Sequence, residues 1–393
     1  MSMASAEAAA ARRRAAGTIG YYNLKLGPTA WRFSAGLGVD YNSNVRYTED
    51  NPEGDIIFSP EIRTRMVWPV SDQNSISLAL GAGYSAYLEQ SDLSRYFILP
   101  GSELSFDFYA GDFWINLHDR FSVTTYTYQN PSVAGTGDYA QLENAVGPAV
   151  VWDLNKGIVR LGYDHVNFDS LGGNTARFSA NQASGYAEVF SASAGYALQP
   201  GTLLGVELGG SLITYTQPTI YAPYTSAKQW NVGGFLDTPV TQYIHFSGHA
   251  GYTVYSPESS VARVASDNFT GIYAQLDIQH RISQYVDYSL SAGRNLSLAY
   301  WGSTIDRYFA RWNANWKIVR KVRLNTSFSF EHGTELYGVT ETYDQYGPGI
   351  TLSRSITDKL SGSLGYQLYW RESDLPGRDY TVSIVSVDLS YTF

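Results

Sequence analysis

The chain has no cysteine among its 393 residues. A disulfide scaffold, a thiol nucleophile and a cysteine-ligated metal site are therefore excluded. Charged residues are also scarce, at 16% of the chain compared with about 25% in a typical soluble protein. No apolar run approaches the roughly 20 residues that a membrane-spanning helix needs, and one of the longest, 145–152, is interrupted by Gly147 and Pro148. If the chain spans a membrane, it does so as a closed barrel, because only helices and closed barrels satisfy their backbone polar groups in lipid.

Common enzyme motifs are missing as well. The sequence contains no Gly-x-Ser-x-Gly, no Gly-x-x-x-x-Gly-Lys and no His-Glu-x-x-His, which mark hydrolase, phosphate-binding and zinc-protease sites. His245 and His249 share one face of a predicted strand, but four strand residues span about 13 Å, which is too far for both to bind one metal ion. We therefore expect no enzymatic activity, no cofactor and no metal site. A formal net charge of −9 does not favour a nucleic-acid partner.

Alternation with period two is the dominant pattern along the chain. In segment 322–330, Leu324 and Phe328 fall on one face, and Arg323 and Asn325 fall on the other. Because successive strand residues point to opposite faces, such a segment has one apolar and one polar face. The predicted strands are also well over ten residues long, whereas globular strands average about five or six. The pattern predicts an all-β protein, a transmembrane antiparallel up-and-down β-barrel of about eighteen strands.

Turn and loop lengths support one ring of antiparallel strands. We predict strands near 31–43, 54–68, 73–88, 98–109, 112–127, 140–153, 157–168, 185–197, 202–215, 229–238, 242–255, 268–280, 284–300, 304–316, 321–332, 342–354, 359–371 and 379–393. Tight turns alternate with longer polar loops, as in outer-membrane barrels, which predicts that both termini lie on the short-turn, periplasmic side. The longer loop 169–184 contains Gly172 and Gly173 and is expected to be able to fold inward.

Aromatic residues concentrate towards the predicted strand ends. Tyrosine alone accounts for 32 residues. The aromatic side chains near strand ends include Trp31, Tyr41, Trp68, Trp152, Tyr196, Trp230, Tyr252, Tyr300, Trp316 and Trp370. Aromatic rings prefer the membrane–water boundary, where one end of the ring is apolar and the other is wet. The alternative is an ordinary sandwich core in a soluble protein, which the long strands and the aromatic belts disfavour.

The two ends of the chain carry different signals. Residues 1–17 are rich in alanine and arginine and lack an apolar signal core, so they are interpreted as a leader remnant or an added arm, and residues 18–393 as a single barrel domain. At the other end, apolar residues alternate up to a terminal phenylalanine. The residues of this predicted assembly signal are Leu389, Tyr391 and Phe393. Such an ending is typical of chains that bacterial barrel-assembly machinery inserts, although an ordinary edge strand can also end in phenylalanine.

Charges on the polar faces of the strands predict a wet interior, since ionised groups in a dry core would be very costly. The predicted pore-lining residues are Arg63, Arg65, Asp107, Arg120, Glu207, Asp237, Asp277, Arg307, Arg311 and Arg323. They either form a field that orients a solute or are scattered charges that tolerate water, and the second interpretation is favoured because the acids are spread around the ring. Asp119 and Arg294 fall on outward faces, where lipid should exclude them. Either a bulge shifts the register there, or both residues lie near a rim.

Two segments resemble a known family. Segment 38–45 reads Gly-Val-Asp-Tyr-Asn-Ser-Asn-Val, and a second match runs through 99–107 to 116–121. Both resemble a group of outer-membrane β-barrel porins, some of which are associated with exopolysaccharide export. The resemblance implies an outer-membrane barrel without catalytic residues.

The leading functional hypothesis is therefore a porin-like channel for small polar solutes or ions in the bacterial outer membrane. The alternative is a non-conducting structural or export-associated component. The expected partners are outer-membrane lipids, the barrel-assembly machinery and a periplasmic or export protein.

Overall fold

The computed structural model describes residues 22–125, 140–171, 184–216, 224–259, 268–298, 304–336 and 340–393. Within these ranges the chain forms strands joined by turns and loops, with one 3₁₀ turn at Ser91–Leu93. The strands are β1 (Leu24–Leu26), β2 (Thr29–Asn42), β3 (Asp55–Pro69), β4 (Ser75–Tyr87), β5 (Arg95–Ala110), β6 (Phe113–Thr124), β7 (Gln141–Asp153), β8 (Gly157–Ser170), β9 (Gly185–Gln199), β10 (Thr202–Tyr215), β11 (Tyr224–Pro239), β12 (Ile244–Ser259), β13 (Phe269–Arg281), β14 (Val286–Leu298), β15 (Thr304–Val319), β16 (Val322–Glu335), β17 (Thr342–Ser355), β18 (Leu360–Ser373) and β19 (Tyr380–Thr392).

The strands β2 to β19 close into one antiparallel barrel. Each pairs with the next along the chain, and β19 returns to β2 through pairs such as Val387 with Val39. The predicted eighteen-stranded barrel is therefore confirmed, with one extra strand. That strand, β1, folds back on the start of β2 and pairs Leu24 with Trp31. At three residues it is too short to produce an alternation pattern in the sequence.

The predicted strands are all present, with ends displaced by up to a few residues. The largest differences lengthen strands into loops: the strand predicted at 229–238 runs from Tyr224 to Pro239, and that predicted at 98–109 begins at Arg95. In the second case Pro100 and Gly101 hide the start of the strand, because Gly101 has φ +88° and the register shifts between Ile98 and Ser102. A bulge of this kind interrupts the alternation that sequence reading depends on.

The barrel wall is apolar outside and polar inside. On β3, Phe58, Ile62 and Trp68 are exposed on the outer surface, whereas Glu61 and Arg63 point to the opposite side. The β2–β3 register matches Ala35 with Ile62 and Gly36 with Glu61, so the two faces continue onto the neighbouring strand. A closed barrel with an apolar outer wall leaves no sheet edge unpaired and suits a lipid environment.

Aromatic rings lie on the outer wall, as the sequence predicts. Trp68, Trp152, Tyr196 and Trp316 are exposed near the short turns, and Tyr41 and Trp230 are exposed towards the loops. Tyr300 lies outside the described residues. Aromatic girdles at both interfaces are a feature of transmembrane barrels.

Short turns lie at one end of the barrel, called the turn side, and longer connections lie at the other, called the loop side. Turn-side connections include 111–112 and 320–321, whereas 43–54 and 374–379 are on the loop side. Asn155 adopts a left-handed conformation, φ 70°, in the turn between β7 and β8. β2 begins and β19 ends on the turn side, which agrees with the predicted arrangement of strand ends.

Several sequence predictions lie wholly or largely outside the described residues. These are the leader or arm at 1–17 and the inward-folding loop 169–184, of which only the flanks are described. Among the described residues, no helix has the length and apolar character needed to cross a membrane.

The two outward charges singled out in the sequence do lie on the outer wall. Asp119 accepts a hydrogen bond from the amide of Asn144 at 2.6 Å, and no bulge changes the register between β6 and β7. Arg294 lies near the loop side and forms a two-point ion pair with Asp306, at 2.9 and 2.8 Å. The rim explanation therefore fits Arg294, whereas Asp119 lies in the middle of β6 and is stabilised by its amide partner.

Candidate functional site: the inner wall and its loop-side mouth

The structure places every predicted pore-lining residue on the inner wall. The register puts each of them on the face opposite the exposed apolar residues of its strand, and they belong to β3, β5, β6, β10, β11, β13, β15 and β16. Many remain solvent-accessible: the side chains of Arg63, Arg120 and Asp237 are exposed by 57%, 51% and 39%. An accessible inner wall with this chemistry can hold water and ions.

Basic residues concentrate on one arc of the inner wall. Arg307 and Arg311 lie on either side of Phe309, each 5.3 Å from the ring centroid, and Arg307 is 3.6 Å from Glu331. Across the closure of the barrel, Arg65 of β3 is directly paired with Arg32 of β2. The arc β15–β16 and the arc β2–β3 therefore carry the bases that the sequence analysis placed on a few strands.

The strands β10 to β13 form a more acidic arc in which histidines bind carboxylates. Glu207 accepts hydrogen bonds from the hydroxyl of Tyr273 and contacts His249, both at 2.8 Å. His245 lies 3.2 Å from Asp237 on the neighbouring strand. The sequence placed both histidines on one inner face but did not find their carboxylate partners.

His118 also has a carboxylate partner that the sequence did not reveal. Its Nε2 lies 2.6 Å from Asp164, two strands away on β8. The strand between them places Gly147 directly opposite His118. A side chain at Gly147 would collide with the backbone of Tyr163, so glycine leaves the space across which His118 reaches. Such a pair depends on ring order and could not be found from spacing along one strand.

The loop-side mouth is narrowed by the connection between β2 and β3. We call residues 43–54 the mouth loop. Tyr47 is only 5% exposed and packs edge-on against Tyr380 of the inner wall, at 5.5 Å between ring centroids. Val45 is 2% exposed and packs beside the inward side chains of Ile57 and Tyr87. The mouth loop therefore folds into the barrel and does not extend away from it.

Asparagine side chains give the mouth loop its shape. Asn42 accepts the backbone N–H of Asn44 at 2.9 Å, and Asn44, which is 1% exposed, bonds to both backbone groups of Thr48. Tyr47 sits between them with φ 53°, a left-handed conformation that is costly for a bulky residue. Contacts in the mouth hold this strained conformation in place. These asparagines belong to the segment 38–45 that carries the family resemblance.

Neighbouring loops are tied to the mouth loop. Arg46 donates to Gln90 and Asp92 of the next loop, at 2.8 and 2.9 Å, and its hydrogen bond lowers the pKa of Asp92. The carboxylate of Asp55 accepts the backbone N–H groups of residues 89 and 90. On the other side, Glu49 accepts the N–H of Gly377 at 2.6 Å.

A buried ion-pair cluster holds the last two loops of the chain. Arg371 is 1% exposed, donates to Glu341 at 2.6 Å, and lies 4.4 Å from the ring of Tyr343. Arg378 binds the other oxygen of Glu341 at 2.9 Å. The sequence analysis missed this cluster because its members lie in three separate segments. The described residues contain no group of three or more histidines and carboxylates arranged to hold a metal ion.

No family model and no curated protein matches this sequence. Among solved structures, the chain is similar to OpdL of Pseudomonas aeruginosa, with a TM-score of 0.52, 9% identity, and coverage of 94% of this chain and 99% of that one. It is also similar to OccAB3 of Acinetobacter baumannii, with a TM-score of 0.50, 10% identity, and coverage of 92% and 99%. OccK2 (OpdF) of P. aeruginosa, solved in complex with glucuronate, gives 0.50, 9%, and coverage of 92% and 98%.

The chain has the fold of outer-membrane porins. The similar structures are outer-membrane channels and are matched over nearly their whole length. At these identities the likeness concerns the fold, so the chemistry of this barrel must be argued from its own inner wall.

Proposed function

We propose that the chain is an outer-membrane channel for small polar solutes or ions. The observation that carries the proposal is the contrast between the two walls of a closed barrel. Outside, residues such as Ile62 and Val206 expose apolar side chains by 64% and 61%. Inside, Arg63 and Arg120 expose charged ones. Lipid suits the first surface, whereas only water or a polar solute suits the second.

The width of the barrel agrees with an aqueous path. Side chains fill a barrel of eight strands, whereas barrels of sixteen to eighteen strands leave room for a channel. The inner wall of β9 contributes small groups such as Gly195, Ser191 and Ser193, which leaves space in the lumen beside the acidic arc. We therefore assign the ten predicted pore-lining residues to the wall of the solute path.

The expected selectivity is a mild preference for cations. The chain has an acidic excess, with a net charge of −9, and a negative potential raises the local concentration of cations. Glu207 and Asp237 lie on the arc where this potential acts on the solute path. The preference should weaken with salt, since the screening length falls to roughly 3 Å at 1 M.

The packed mouth supports one alternative. Tyr47, Val45 and the cluster around Arg371 fill part of the loop-side opening, which would suit a non-conducting structural or export-associated component that opens only with a partner. Catalysis is not proposed, because the inward histidines studied above are each bound to a carboxylate of the wall, without a serine or threonine nucleophile bonded to the pair.

Single-channel recording in a planar bilayer tests the proposal. Purified protein that migrates differently on gels when boiled and unboiled should add discrete conductance steps, and a reversal potential should show cation preference at low salt. A variant lacking residues 46–51 should conduct more than the intact chain. If neither protein conducts, the channel proposal fails and the structural or export function replaces it.

The remaining assignments concern assembly. Phe393 is 54% exposed at the end of β19, and its backbone N–H bonds to Phe33 of β2 at 3.3 Å. Leu389 and Tyr391 continue this outward apolar row. We assign the row to recognition by the barrel-assembly machinery, and the outer wall to contact with outer-membrane lipids.

A further inference from the structure

A cavity opens on the inner wall at the turn side, where β16, β17, β18 and β19 lie next to one another. Its volume is about 340 Å³. Three basic side chains line it: Arg320 and Lys321 in the turn after β15, and Arg323 on β16. This cavity lies at the opposite end of the barrel from the mouth loop.

The three bases are not neutralised by the protein. Over the ranges that the structure describes, the side chains of Arg320, Lys321 and Arg323 have no hydrogen bond or ion pair. Most of the other inward arginines differ, as Arg63 pairs with Glu61 and Arg120 with Glu103. Three unpaired cations in one cavity repel one another, and this repulsion is relieved when an anion binds between them.

Serine hydroxyls complete the lining. The cavity walls carry Ser353, Ser355, Ser361, Ser363 and Ser390. Ser363 donates to Asp388 at 2.9 Å, so the one carboxylate in the cavity is already engaged. The other hydroxyls face the cavity and remain available as donors.

We infer that this cavity is a binding site for a tetrahedral oxyanion, a phosphate or sulfate group, either free or carried by a small solute. A planar carboxylate has two oxygens and is satisfied by a single arginine fork. The cavity offers two guanidinium groups, one ammonium and several hydroxyls on different strands, which matches an anion with three or four oxygens. The volume leaves room for an attached solute or for water, since one water occupies about 30 Å³ of liquid.

The site deepens the proposed channel function and rests on it, because it would place an oxyanion at the turn-side end of the solute path. The cation preference expected from the whole chain acts on small mobile ions. The turn-side cavity would instead retain one class of anionic solute, as a local site with the opposite charge.

Binding is measured by calorimetry on the intact barrel in detergent, titrated with inorganic phosphate, sulfate or acetate at equal ionic strength. Phosphate should bind at least about tenfold more tightly than acetate, a difference of about 1.4 kcal/mol. The variant Lys321→Gln/Arg323→Gln should lose about tenfold or more in phosphate affinity. The control Lys156→Gln/Arg281→Gln removes the same charges elsewhere on the turn side and should bind within about twofold of the parent.

The outcomes separate the site from the channel. Equal affinities for phosphate and acetate, equal losses in the two double variants, or no binding at all would overturn the oxyanion site. Bilayer recordings made on the same samples report the channel independently. Conductance without phosphate binding would refute the site alone, and phosphate binding without conductance would refute the channel alone.

Discussion

The mouth loop gives the sharpest test of how this barrel is closed. Tyr47→Ala removes a ring that is 95% buried against Tyr380 while leaving the left-handed backbone in place. Removing a buried aromatic ring costs about 3–5 kcal/mol. At the low end, about 3 kcal/mol, the ratio of docked to undocked loop falls roughly a hundredfold, since each 1.4 kcal/mol is a factor of ten.

The assay is tryptic cleavage after Arg46, followed from the loop side, together with single-channel conductance. Cleavage of a transiently opened segment follows the population of the open form, so the rate should rise by about a hundredfold and the conductance should increase. Tyr47→Gly should open the loop less than Tyr47→Ala, by about 1 kcal/mol, because alanine is disfavoured where φ is positive. Tyr285→Ala, at an exposed turn-side tyrosine, is the control. Unchanged cleavage and conductance in Tyr47→Ala would refute the view that this ring holds the loop in the mouth.

Three further outcomes are expected. Deleting Phe393 should reduce insertion into the outer membrane and leave periplasmic aggregates; unchanged surface levels would count against an assembly role. Arg371→Met should lower the free energy of unfolding by about 3 kcal/mol in urea titrations, because it leaves Glu341 buried with one partner fewer. Since the hydrogen bond from Arg46 lowers the pKa of Asp92, this loop contact is stable above the ordinary carboxyl pKa of about 3.9 and is lost as pH falls below it. Tryptic cleavage after Arg46 should therefore accelerate below about pH 4 in the parent but not in Asp92→Asn.

Most of the fold follows from the sequence because a membrane barrel repeats one physical rule. Each strand must present apolar groups to lipid and polar groups to the lumen, so alternation gives both the strand and its orientation. Arg63 and Ile62 could be assigned to opposite walls on this basis alone. The rule fails where the chain departs from a regular ladder, as at Pro100 and Gly101 on β5.

The site was less predictable because its contacts cross several strands. His118 and Asp164 are 46 residues apart and meet over Gly147. Glu341 lies between Arg371 and Arg378 only after the last loops have folded. Alternation says which wall a residue faces but not its height on that wall or its neighbours two strands away, and these distances determine ion pairing.

The mouth loop shows how a short sequence motif can encode a contact made across the barrel. Asn42 and Asn44 fix the turn that carries Tyr47 to the inner wall of β19. Because β19 is the strand that closes the ring on β2, the mouth loop can dock only after closure has brought these strands together. The strained backbone of Tyr47 is then held by tertiary contacts and not by local preference. A barrel that fails to close should therefore leave this loop free, so trypsin sensitivity at Arg46 also reports completion of the ring.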